Sequence, residues 1–187
     1  MVGRGQARYP QRGLATRIWS PLQALPGSQM KLVFRVTSKQ RLIITEHAVE
    51  QLLAHAQRRF WYCEAGGVLL GRHLLDSEDV VVDEVTVPQS SDRRTRFSFF
   101  RSKKHEVIAI ERWQAEASTL AYLGLWHTHP EDSPTPSSVD RNDWEQAVVK
   151  DTFNGPRLFF PIVGREEIRV WTKSRTGGIS ELKREPS

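Results

Sequence analysis

The chain has 187 residues, 39% of them hydrophobic, with a formal net charge of +5 and one cysteine. Arg4, Arg8, Arg12 and Arg17 fall in residues 1–29, which hold no Asp or Glu, so the rest carries about +1 and is not a basic nucleic-acid binder. A lone Cys63 rules out an internal disulfide, and no apolar run is long enough for a membrane span or a signal-peptide core, so a cytoplasmic protein is expected.

Residues 1–29 mix Arg, Gln, Gly and Pro without a sustained apolar period and are expected to be a disordered or non-native extension, with Met30 as initiator and 30–187 as one domain. Strands follow at Leu32–Val36 and Arg41–Ile44. Thr45 then caps a helix whose Ala48, Val49, Leu52, Leu53 and Ala56 recur with helical spacing. Strands are predicted at Gly67–Leu75, Val80–Pro88 and Arg96–Phe100, with a polar turn at Gln89–Arg94. In the stretch from Asp92 to Phe100, Phe97 and Phe99 alternate as inward-facing strand residues would; the competing reading is a basic, aromatic surface for an extended ligand. Cys63 is expected to pack in the core. A second helix runs from about Ser102 to Ser118, with Val107, Ile110, Trp113 and Ala117 on one side.

Ala121 to Trp126 reads as a strand leading into His127-Thr128-His129-Pro130. Alternate strand residues share a face, so His127 and His129 project together while Trp126 and Thr128 turn away. Trp126 and Trp144 are expected in the core. The Pro-rich residues 130–136 break the strand, and a helix around Ser138–Val149 begins with Ser137 or Ser138 as cap and Asp140 in its first turn. Two His and a carboxylate are a frequent ligand set for catalytic zinc, and one cysteine makes a closed structural site improbable. Strands Leu158–Val163 and Ile168–Thr172 and a short piece after Thr176-Gly177-Gly178 complete a mixed α/β order.

The spacing of His127, His129, Ser137 and Asp140 resembles the signature of the JAMM (MPN-type) zinc peptidases, and Glu64-Ala65-Gly66-Gly67-Val68-Leu69-Leu70-Gly71 is similar to the family's upstream glutamate motif. The resemblance implies a central mixed sheet flanked by helices and one zinc ion per chain, held by His127, His129 and Asp140. It further implies Glu64 as the base and Ser137 as a hydroxyl donor to the reacting carbonyl. On residue chemistry alone Ser137 is a helix cap, and Glu64 an acid at a strand end.

Over about residues 30–175 the chain is similar to prokaryotic JAB peptidases found with ubiquitin-like conjugation genes, and most of all to the deconjugating group of type II CBASS antiphage operons. That likeness implies a peptidase or isopeptidase acting after the C-terminal tail of a conjugated cyclic-oligonucleotide synthase, in a system with an E1/E2-type conjugating enzyme. No membrane or specific nucleic-acid partner is expected. A hydrolase acting on a sulfur carrier or another ubiquitin-like protein would use the same site; an inactive scaffold would generally lack ligands. Leu125 stands where Glu is expected in close relatives, which leaves fine specificity open.

Overall fold

The computed structural model describes residues 31–116 and 119–186, so the extension 1–29, Met30, Ala117, Ser118 and Ser187 lie outside the described residues. The strands are β1 (Leu32–Arg35), β2 (Arg41–Ile44), β3 (Gly66–His73), β4 (Val80–Val85), β5 (Arg93–Thr95), β6 (Ser98–Phe100), β7 (Ala121–Thr128), β8 (Arg157–Val163), β9 (Ile168–Ser174), β10 (Ile179–Glu181) and β11 (Lys183–Arg184). The helices are α1 (Glu46–Leu53), α2 (Lys104–Ala115) and α3 (Ser138–Lys150). Nine strands form one sheet in the order β10-β9-β8-β7-β3-β4-β2-β1-β11, and β5 and β6 form a separate hairpin. The sheet is mixed, with β2 parallel to β4 and β7 parallel to β8. No described helix is long and apolar enough to cross a membrane.

Strand alternation sends neighbouring residues to opposite faces, and each face carries its own core. Leu69, Trp126 and Phe159 pack with Ala48, Val49 and Leu52 of α1. Val68, Leu70, Leu158 and Phe160 pack on the other side with Trp144, Ala147 and Val148 of α3. Thr45 caps α1 as its position predicts, its hydroxyl accepting from the Ala48 amide.

The alternation slips once in β7. Pairing with β3 runs from Leu69↔Gly124 to Leu70↔Tyr122, so Leu123 is an extra residue. Leu123 and Leu125, two apart, therefore enter opposite cores. Gly124 sits at φ 146°, and a Cβ there would come within 1.9 Å of the Phe159 carbonyl oxygen. Gly124→Ala is accordingly expected to cost at least about 2 kcal/mol, read as a lower midpoint in thermal or urea unfolding; an unchanged midpoint would contradict this account. The bulge matters for function, because it sets which face His127 and His129 share.

The hairpin corrects two expectations. The single strand Arg96–Phe100 is instead β5 and β6 around a turn at Arg96 and Phe97. Phe97 is 71% and Phe100 54% exposed, so only Phe99 turns inward, its ring lying where a Cβ on Gly66 would be. Asp92 ties the two ends of the hairpin segment: its Oδ2 accepts from the Gln89 amide at 2.6 Å, its Oδ1 from the Ser102 amide at 2.9 Å. Buried His105 then joins Asp92 to the Thr86 hydroxyl beside β3. Cys63 is exposed, not in the core, because it lies in the irregular stretch before β3 and not in a strand. On α2, Val107, Ile110 and Trp113 are exposed, whereas buried His105 carries the helix's deepest contact.

Candidate metal centre

β7 delivers the two histidines to the end of the sheet. The Thr128 amide donates to Ala65 and the His129 amide to Val163, so the strand is clamped between β3 and β8 as far as the second imidazole. The loop 130–136 is pinned from outside: the Arg165 amide donates to the Glu131 carbonyl, and Arg169 reaches the Pro134 carbonyl at 3.0 Å. The chain then enters α3 through a capping box, in which the Ser137 hydroxyl accepts from the Asp140 amide and the Asp140 carboxylate accepts from the Ser137 amide. Capping is thus what aims Asp140 at the histidines.

His127 Nε2 and His129 Nε2 stand 3.0 Å apart; Asp140 Oδ1 is 3.2 Å from the first and Oδ2 3.4 Å from the second. Ligands of a tetrahedral zinc ion at about 2.0–2.2 Å lie roughly 3.3 Å from one another. The three residues therefore fit that ion. Among the described residues they are the one group of His, Cys, Asp or Glu whose ligand atoms converge in this way. The donor chemistry agrees, since two imidazole lone pairs facing each other beside a carboxylate call for a cation or a proton between them.

The electrostatics have one direction at each group. Burial pushes the Asp140 carboxyl upward, but hydrogen bonds from His127, His129 and Ser137 hold it far below the usual carboxylate range. Burial pulls His129 down, and the contact with Asp140, helped by Glu64 and Glu131, raises it above the ordinary imidazole value. Glu64 is 7% exposed, and burial pushes its carboxyl up to about 7; the positive charge on His129 opposes the rise and Asp140 adds to it.

A cleft of about 930 Å³ contains Glu64, His127, His129, Ser137 and Asp140 together. Its walls include Phe99 and Arg101 from the hairpin side and Asp143 from α3, with Leu125 in its floor. All five residues singled out from the sequence thus meet in one place. A model of the family described as prokaryotic homologs of the JAB domain matches residues 45–174. The chain belongs to this family. Each of the five residues falls inside the matched span of this JAB domain.

Three relatives named CD-NTase/cGAS isopeptidase are similar to this JAB chain. The protein of Pseudomonas aeruginosa is 38% identical over 130 residues, spanning 69% of this chain and 80% of its own length. That of Vibrio cholerae is 35% identical over 149 residues, spanning 79% and 92%. That of Escherichia coli is 30% identical over 155 residues, spanning 82% and 95%. A solution structure of a protein from Desulfitobacterium hafniense shares the fold, with a TM-score of 0.54 at 24% identity over 74% of this chain and 87% of that one.

The glycines of the JAB motif have a local cause. A Cβ on Gly67 would lie 2.1 Å from the Thr86 carbonyl oxygen, and one on Gly66 would meet both Phe99 and the Trp126 carbonyl. β3 must be bare there for the hairpin and β7 to close on it. One residue of the cleft escaped the sequence reading. Asp143, whose carboxyl burial pushes up, lies one helical turn beyond Asp140 and so shares its face; that spacing was a usable signal. Glu131 lies 3.9 Å from His129 Nδ1 and lines the same cleft. Glu84 and Asp132, by contrast, are taken up by Arg112 and Arg165.

Proposed function

We propose that this JAB domain is a zinc-dependent isopeptidase or peptidase that frees a conjugated protein from its target by hydrolysis after the conjugate's C-terminal tail. The observation that carries the reading is the convergence of His127, His129 and Asp140 in one cleft with the buried carboxyl of Glu64. The names of the relatives point to a CD-NTase, a cyclic-oligonucleotide synthase, as the conjugated protein, acting in an antiphage system whose conjugating partner is an E1/E2-type enzyme.

His127, His129 and Asp140 would hold the ion. Zinc bound there supplies a Lewis acid for the carbonyl and makes water a nucleophile near neutral pH. Glu64 accepts a proton at its carboxylate as water adds to the carbonyl carbon, and returns it to the amine nitrogen as the C–N bond breaks. A group raised to about 7 suits both halves of that exchange, because neither protonation state is strongly disfavoured at working pH. Ser137 is the candidate donor to the carbonyl oxygen. Its hydroxyl donates to Asp140 Oδ2 at 2.6 Å in the free chain and would turn toward substrate.

The test offers purified protein two fusions, one joined through a CD-NTase tail and one through a sulfur-carrier tail, with and without a zinc chelator. Cleavage at the end of the CD-NTase tail, abolished by chelation and restored by zinc, is expected. Cleavage insensitive to chelation would overturn the metal assignment, and preference for the sulfur-carrier tail would overturn the substrate.

A further inference from the structure

Thr128 stands between the two histidines yet points away from them, and it is fully buried. Its hydroxyl accepts from the Ala65 amide at 3.0 Å and donates to Gln57 Oε1 at 3.0 Å, while its own amide donates to the Ala65 carbonyl at 2.8 Å. Ala65 directly follows Glu64. Gln57, 1% exposed, accepts from Thr128 at its oxygen and uses both amide donors on the carbonyls of Arg96, at the hairpin turn, and Tyr62, just before Glu64. The hairpin closes the circuit: the Glu64 amide donates to the Thr95 carbonyl at 2.7 Å, and Arg94 Nε donates to the Glu64 carbonyl at 2.5 Å.

Ligand strand, base and cleft wall therefore meet at two buried side chains. A buried amide or hydroxyl that loses its partner is left with an uncompensated desolvation penalty, so a polar junction here is a poor way merely to fill space. Fully satisfied, such a network fixes its partners rigidly. We propose that Gln57 and Thr128 are positioning residues that hold Glu64 and the β5–β6 hairpin at a fixed offset from His127 and His129. The inference rests on Glu64 being the base. Neither residue touches the reacting atoms; both act through the backbone on either side of the site.

Thr128→Val keeps the shape of the side chain and removes only the hydroxyl. It is expected to retain metal at wild-type stoichiometry, lower kcat on a tail fusion by about 10- to 100-fold with KM little changed, and be rescued by Thr128→Ser. Gln57→Met also releases Arg96, so KM should rise together with the fall in kcat. Independently of activity, amide hydrogen exchange at Ala65 should quicken by about tenfold or more in Thr128→Val, and at Arg96 or its neighbours in Gln57→Met, with β8 and β9 unaffected.

Wild-type kcat and exchange in both variants would overturn the proposal, as would metal loss in step with activity or failure of Thr128→Ser to rescue. If Thr128→Val does not fold, Gln57→Met and Thr128→Ser decide on the same readouts. Should the wild-type protein cleave no fusion, the hydrolase reading fails, while the exchange data still decide whether these residues hold the segment in place.

Discussion

Glu64→Gln is expected to keep the metal and lose about 10²–10⁴ in turnover, the usual contribution of general acid–base catalysis. Gln has nearly the same volume and the hairpin contacts of residue 64 are made by its backbone, so the site should keep its shape. What is lost is the ability to take and return a proton. Glu131 is the control, being the other carboxylate near His129 that could compete for the role. It already accepts from the Thr135 amide at 2.9 Å, which marks it as a loop brace, and Glu131→Gln should cost far less. A turnover near wild type in Glu64→Gln alongside a dead Glu131→Gln would move the base to Glu131.

The same substitution carries a stability signature. The folded value of Glu64, about 7, lies above the ordinary 4.5, so the fold favours the protonated carboxyl. In the metal-free chain the resulting penalty is absent below pH 4.5, grows as pH rises toward 7 and is complete above it. Gln carries no such penalty. Metal-free Glu64→Gln should therefore melt higher than wild type at pH 8, with the advantage vanishing toward pH 4.5. Equal melting temperatures at both ends would mean that Glu64 is not desolvated as its burial requires.

The three candidate metal ligands were legible because their geometry is local, whereas Glu64, far upstream in the chain, was indicated only by the family resemblance. His127 and His129 needed only strand alternation, and Asp140 only a helix start after a proline-rich break; each follows from a few residues of sequence. The elements were legible for the same reason where one face is buried, as in α1. They were less so where tertiary contact decides. Val107, Ile110 and Trp113 have the spacing of a core-facing stripe, yet α2 rests on the sheet through His105, whose position in the helix gave no apolar signal. Alternation in Phe97 and Phe99 was misleading because a turn at Arg96 and Phe97 falls inside the run. The bulge at Leu123 was written only as a glycine within a strand, and its effect on facing depends on how β3 pairs. Gln57 gave no signal, since two of its three partners, Arg96 and Thr128, come from segments distant in sequence that only the fold assembles.

His129→Ala is expected to reduce bound zinc from about one ion per chain to a small fraction, and activity with it, because a three-ligand site that loses an imidazole keeps too few donors for tight binding. The fold should largely persist: residue 129 is held through its amide to Val163, a bond that alanine retains. The pH dependence of the wild-type site follows from the same groups. Asp140 stays ionised across the working range, whereas the raised His129 binds a proton more readily than an ordinary imidazole. That proton competes with the ion for the ring nitrogen. Zinc affinity should consequently fall as pH drops through the raised His129 value, beginning at a higher pH than for an unperturbed histidine. A chelator-competition titration of the wild-type protein from pH 8 to pH 5 measures it. Affinity flat across that range, or full zinc content in His129→Ala, would show that the ion is held by other residues.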